Sequence, residues 1–237
     1  MKYTKLSRNR KSANAGLVVC LGGLLATLCS GCDVQSTDEE DFGVQLWTNG
    51  PFWATCNLGA TKPEEFGCYF YWGHVEGYIE EKPFRYFDDW PIRNKFGDEI
   101  LTPAGNLKLQ FDAARQNLGG TWCMPAIEDF EALVRNCSTQ WTSLNGVRGL
   151  LVRGLGAYAA KSIFLPAAGV DKSPLSRPND VGGYWSSTPD EGKGVGREAK
   201  ELYFDSSHVT TRHGYDLGVK YGRTIRPLRQ DVKPQED

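Results

Sequence analysis

Gly119-Gly120-Thr121-Trp122-Cys123-Met124-Pro125 lies between two stretches of helical periodicity, and its reading decides the fold class. Upstream, Leu107, Phe111, Ala114 and Leu118 recur at spacings of four, three and four, so they share one face of a helix over Leu107–Leu118. The two glycines stop that helix, because glycine enters the left-handed cap conformation without a Cβ penalty. Downstream, Pro125 suits the first position of a second helix. Ile127, Phe130, Leu133 and Val134 form its apolar stripe, and Asn136 ends it.

Outside these helices the chain reads as short strands and loops. Strands are predicted over Gln45–Ala54, Cys68–Trp72, Gly149–Val152, Ser162–Leu165, Gly183–Ser187, Glu201–Phe204 and Tyr221–Leu228. Asn145-Gly146, between Trp141 and Val147, marks a tight hairpin. Leu202 and Phe204 alternate with Tyr203, and Ile225 with Arg226, as in half-buried strands. Segments 73–106 and 170–183 read as excursions from a core. Two short helices with several short, mostly antiparallel strands predict an α+β fold.

The first forty residues carry an address. A basic start (Lys2, Lys5, Arg8, Arg10, Lys11) precedes an apolar run from about Ala15 to Leu28. That run is shorter than the ~20 residues a membrane-spanning helix needs, and the layout is that of a secretory signal. Leu28-Cys29-Ser30-Gly31-Cys32 reads as a lipobox in which Cys29 takes the usual leucine place, so residues 1–31 are the signal and Cys32 the acylated residue. Several acyl chains on one cysteine anchor stably where one does not. Residues 32–43 contain Asp38-Glu39-Glu40-Asp41 and form an acidic tether unable to bury a core. The tether resembles the acidic export signals of Bacteroidetes surface lipoproteins. The expectation is an outer-membrane lipoprotein on the cell surface, with the periplasmic face as the alternative.

Loss of the five basic signal residues leaves 22 basic against 29 acidic residues, a formal charge of −7. Such a balance excludes nucleic acid as a non-specific partner. Of seven cysteines, Cys56, Cys68, Cys123 and Cys137 remain after cleavage and lipidation. An even number in an exported protein predicts two disulfides, with three connectivities open. Cys123 and Cys137 flank a helix of about ten residues, ~15 Å long. That exceeds the ~7 Å Cα separation a bridge allows, so this pairing is disfavoured.

Ordered blocks across 44–229 resemble one family. They run Trp53-Ala54-Thr55-Cys56-Asn57-Leu58-Gly59-Ala60-Thr61, Gly67-Cys68-Tyr69-Phe70-Tyr71-Trp72-Gly73 and Asp112-Ala113-Ala114-Arg115. Gly119–Pro125 and Trp141-Thr142-Ser143-Leu144-Asn145-Gly146 follow. Ile163-Phe164-Leu165-Pro166-Ala167-Ala168-Gly169, Gly183-Tyr184-Trp185-Ser186-Ser187-Thr188 and Ile225-Arg226-Pro227-Leu228 complete the set. Together they resemble the Fibrobacter succinogenes major paralogous domain. The resemblance implies a C-type-lectin-like fold, related to sugar-binding lectins, bacterial adhesin tips and formylglycine-generating enzymes, for residues 44–229, with 230–237 as a polar tail. Two positions depart: Cys123 stands where the family usually has Arg, and Ala126 where it usually has a capping Thr. The lost cap is worth about 1 kcal/mol, and a Cys56–Cys123 or Cys68–Cys123 bridge is one compensation.

The implied function is non-catalytic binding of a glycan or protein partner. Tyr86 and Trp90, in the aromatic-rich stretch Phe66–Trp90, are candidate contacts. Asn179 and Asp180 in Arg177-Pro178-Asn179-Asp180, with Trp185, fall where lectins of this fold build a calcium site. Arg177 stands where that site has a carboxylate or amide and its second, acidic strand motif is absent, so too few oxygen ligands converge and no metal or cofactor is expected. His74, His208 and His213 lack zinc-binding spacing. Neither a Gly-X-Ser-X-Gly elbow nor a glycine-rich phosphate loop is present, so no catalytic residue is assigned. The rival classes are a formylglycine-generating-like enzyme, needing reactive cysteines, and a structural or fimbrial accessory component.

Overall fold

The computed structural model describes residues 43–79, 100–170, 177–190, 199–213 and 221–230. Cys32, Tyr86 and Trp90, with the signal and almost all of the tether and tail, lie outside the described residues.

Within them, ten strands and two α-helices give an α+β architecture. The first sheet has the order β1 (Gly43–Gln45), β2 (Phe52–Ala54), β10 (Leu228–Arg229), β3 (Trp122–Cys123). The second is β4 (Cys137–Leu144), β5 (Val147–Gly154), β6 (Ser162–Pro166), and the third β7 (Val181–Pro189), β8 (Ala199–Asp205), β9 (Val209–His213). Within these three sheets the strand pairings are antiparallel. The last strand therefore sits between strands from the start and the middle of the chain: Leu228 faces Trp53 on one side and Cys123 on the other.

Helix α1 spans only Ala113–Leu118, preceded by a 3-10 turn at Leu109–Phe111. The predicted start at Leu107 is overturned by Asp112. Its Oδ1 accepts from Arg115 N at 2.9 Å, as an N-cap. Oδ2 accepts from Met124 N at 2.9 Å, tying the helix start to β3. The shifted phase buries Ala113 and Ala114 and leaves Leu118 exposed.

Helix α2 spans Ile127–Asn136, with Pro125 two residues ahead of its first turn. Ile127, Phe130 and Leu133 are buried, as their spacing predicts. The N-cap, Ala126, has no side-chain oxygen. Half of a capping box survives, with Asp129 Oδ2 accepting from Ala126 N at 2.8 Å. The other contribution comes from a distant strand: Thr188 Oγ1 on β7 accepts from Ile127 N at 3.0 Å and donates to Asn106 at 2.7 Å.

Asn145 and Gly146, at φ 49° and 86°, join β4 to β5 through the expected two-residue turn. Gln45–Ala54 divides into β1 and β2 around a turn in which Gly50 N donates to Trp47 O at 3.1 Å. Cys68–Trp72 and most of Tyr221–Leu228 are held by single bridges, Phe70 with Arg223 and Tyr184 with Thr224. Two apolar clusters form the interior. One gathers Trp53, Phe130, Leu165, Tyr184 and Phe204; the other Phe70, Trp72, Met124, Trp185 and Ile225.

Candidate functional site

The site begins with a buried arginine. Arg226 was expected to alternate outward from Ile225, but it is fully enclosed. Its Nη1 donates to Ala54 O at 2.9 Å, its Nη2 to Phe164 O at 2.7 Å and its Nε to Asn57 Oδ1 at 3.0 Å. Asn57 Nδ2 donates to Tyr184 Oη at 3.1 Å, and that hydroxyl donates to Pro166 O at 2.8 Å. Burial pushes the Arg226 guanidinium below its ordinary value and the Tyr184 phenol above it. The phenol therefore stays neutral and can serve as donor and acceptor together. This network, with Ala54 N donating to Pro227 O and Leu58 N to Ile225 O, pins the segment Thr55–Ala60 against the last strand.

The pinned segment forms one wall of an open groove of about 300 Å³. Thr55, Cys56 and Leu58 line that wall; Leu118, Gly120, Thr121 and Trp122 line the opposite one; Pro227 and Arg229 lie between. Gly119 and Gly120, at φ 70° and 53°, let the chain leave α1 and turn into β3. That reversal puts Trp122 beside β10, where the Arg229 guanidinium carbon lies 5.7 Å from the Trp122 ring centre and 4.8 Å from that of Phe52. These separations fall within cation–π range. Arg229 is the one charged side chain among the described residues lining the groove. The lining offers one indole, one guanidinium, two threonine hydroxyls and one thiol.

Among the described residues Cys56, Cys68, Cys123 and Cys137 stand as free thiols, so the expected two disulfides are not formed in this structure. Strand β10 intervenes between β3, which carries Cys123, and β2, which leads to Cys56. Cys68 packs against the second apolar cluster and Cys123 against the first. Burial pushes Cys123 up to about 12 and Cys137 up to about 11, and also raises Cys68. A nucleophilic thiol needs the opposite shift.

Of the sequence-predicted contacts, Asn179, Asp180 and Trp185 are described, and none of the three lines the groove. Trp185 is a core residue, not a surface one: Arg223 lies over its ring at 4.0 Å, and its Nε1 donates to Phe70 O at 2.9 Å. Asn179 and Asp180 brace a turn against β5. Asn179 Oδ1 accepts from Arg148 N at 3.0 Å, and Asp180 Oδ1 accepts from the Arg148 guanidinium at 2.7 Å. Phe70, Tyr71, Trp72 and Tyr78 of the aromatic stretch are buried.

His208 is exposed, with Nδ1 3.4 Å from Asp205, which caps its own turn by accepting from Ser207 N and His208 N. His74 packs edge-on to Tyr71. Among the described residues no group of three or more His, Cys, Asp or Glu is placed to hold a metal ion.

Sequence reasoning missed Arg229, Trp122, Thr55 and Leu118 as groove residues. The legible signal was the tryptophan two residues past a Gly-Gly turn. No family model, curated protein or solved structure matches the chain.

Proposed function

We propose that the protein is a lipid-anchored, surface-exposed component of the outer membrane, with a C-type-lectin-like domain that binds a glycan or protein partner without catalysis. The observation that carries this reading is the groove. Residues from three stretches far apart in the chain, within 54–60, 118–122 and 227–229, come together to line it. They present an aromatic face and a cation rather than paired acid–base groups. The raised thiols of Cys123 and Cys137 argue against a formylglycine-generating-like enzyme.

A glycan array run beside a pull-down against envelope proteins tests the binding role. Saturable capture of a glycan or of one partner is expected. A fixed multi-subunit complex with no separable ligand would move the assignment to a structural envelope component, and turnover of a substrate would overturn it. Protease shaving of intact cells tests the location. Shed peptides from residues beyond Asp41 are expected; protection of those peptides while a control surface protein is shed would place the domain in the periplasm.

A further inference from the structure

We infer that β4 is a self-association edge, along which two copies of the chain pair antiparallel about a two-fold axis at Trp141 and join their sheets into one. The strand is eight residues long and pairs on one side only, with β5. Among the described residues no strand, bridge or main-chain bond meets its other side. The turn fixes which groups lie there. In a two-residue hairpin the residues flanking the turn, Leu144 and Val147, exchange hydrogen bonds, and bonded pairs recur at every second position. Ser138, Gln140, Thr142 and Leu144 therefore bond to β5. The N–H and C=O groups of Thr139, Trp141 and Ser143 point to the open side.

An open row of main-chain donors and acceptors is a template for another strand, and proteins ordinarily blunt it with charge, proline, a bulge, a cover or shortness. The other edges of these sheets are treated so. Strands β1 and β3 have three and two residues. Strand β7 is bridged by Gly169 and Thr224, and β9 ends in Arg212-His213. The Phe164 and Pro166 carbonyls of β6 accept from Arg226 and Tyr184. Strand β4 has no such device. Its sequence, Cys137-Ser138-Thr139-Gln140-Trp141-Thr142-Ser143-Leu144, holds no charge and no proline, and its register with β5 is unbroken. Trp141, edge-on to Phe204 at 6.3 Å, fastens the middle of the strand to the core.

The absence of charge also selects the occupant. A two-fold axis sets the strand against its own copy, so a charged residue would come close to its like. With the axis at Trp141, Thr139 faces Ser143 of the second copy, a hydroxyl pair, and Gln140 faces Thr142. The β5 arginines stay apart. Arg153 is followed across the sheet by Ser138 and then by Leu144 and Val147 of the second copy; Arg148 is followed by Ser143 and then by Thr139 and Val152. A strand from another protein would be selected by side-chain pockets beside the edge, and the groove described above takes no residue from β4 or β5.

Sedimentation velocity of the full chain over a concentration series, with amide hydrogen exchange on the same samples, tests the pairing. A weak dimer is expected, as for a small interface. As it forms, the amides of Thr139, Trp141 and Ser143 should slow, whereas those of Ser138, Gln140 and Thr142 are slow at every concentration. Ser143→Pro deletes an N–H that β5 does not use. Its circular dichroism and melting midpoint should hold while the dimer weakens about thirtyfold, one main-chain bond being lost per copy. Gln140→Lys, at an exposed position, makes two ammonium groups diagonal neighbours across the axis and should weaken the dimer with every main-chain bond retained. A chain that stays monomeric, a dimer in which the three outer amides exchange as fast as in the monomer, or full dimer strength in Gln140→Lys or in folded Ser143→Pro would overturn the inference. So would a monomer in which those amides slow only on addition of envelope extract, since the edge would then take another protein's strand.

Discussion

Arg223 and Glu201 form an ion pair whose side chains are 1% and 0% exposed, and the Arg223 guanidinium caps Trp185. Two charges have been taken out of water, so the pair is held by mutual compensation and not by a large net gain. Removing one member takes away the opposite charge that the other was buried against. Glu201→Leu is expected to cost about 3–5 kcal/mol, and Arg223→Met a similar amount. At roughly 2–4 °C per kcal/mol for a chain of this size, either lowers the melting midpoint by about 6–20 °C. The double variant Glu201→Leu/Arg223→Met removes both desolvation costs and places two apolar chains beside Trp185. It is expected to be more stable than either single variant, giving a large coupling energy. Urea and thermal unfolding followed by circular dichroism and Trp fluorescence measure all three. A double variant whose loss equals the sum of the single losses would refute the reasoning, because each side chain would then be stabilised independently.

Three further outcomes follow from the same geometry. Thr188→Val removes the oxygen accepting from Ile127 N and is expected to cost about 1–2 kcal/mol in urea unfolding, the worth of a lost cap. Burial holds His74 below its ordinary value of 6.5, so the unfolded chain takes up the proton first. Stability is therefore full above about pH 6.5 and drains as pH falls toward the folded value; urea midpoints at pH 7 and 5 should differ less in His74→Phe than in the parent. In the processed protein, thiol titration after denaturation should find four reactive groups. Before denaturation at pH 8, Cys123 and Cys137 should label more slowly than Cys56, which lines an open groove. A count of zero would restore the two-disulfide expectation.

Local chemistry was legible where neighbours in sequence are neighbours in space. The spacing of Ile127, Phe130 and Leu133 placed α2, and Asn145-Gly146 placed the β4–β5 hairpin with its left-handed residues. The same logic failed at α1, where periodicity from Leu107 pointed to a longer helix. Asp112 captured the first turn because its second oxygen had a use twelve residues away, on Met124. Trp185 was a candidate contact because the resemblance places it where lectins of this fold build a calcium site. Both faces of β7 are covered by other elements, so alternation there does not report exposure.

The sequence by itself determined helix α2, the hairpin, the α+β class and the charge balance, since each depends on spacing, turn stereochemistry or composition along a short stretch. Tertiary structure alone decided the groove, the Thr188 cap and the burial of Arg226. Each of these needs residues more than sixty positions apart to meet: Thr188 with Ile127, Arg226 with Phe164 and Asn57, Arg229 with Trp122. The physical reason is that a buried polar group is satisfied wherever a partner can be packed against it. Which partner arrives depends on how β10 inserts between β2 and β3, a pairing without any local signature.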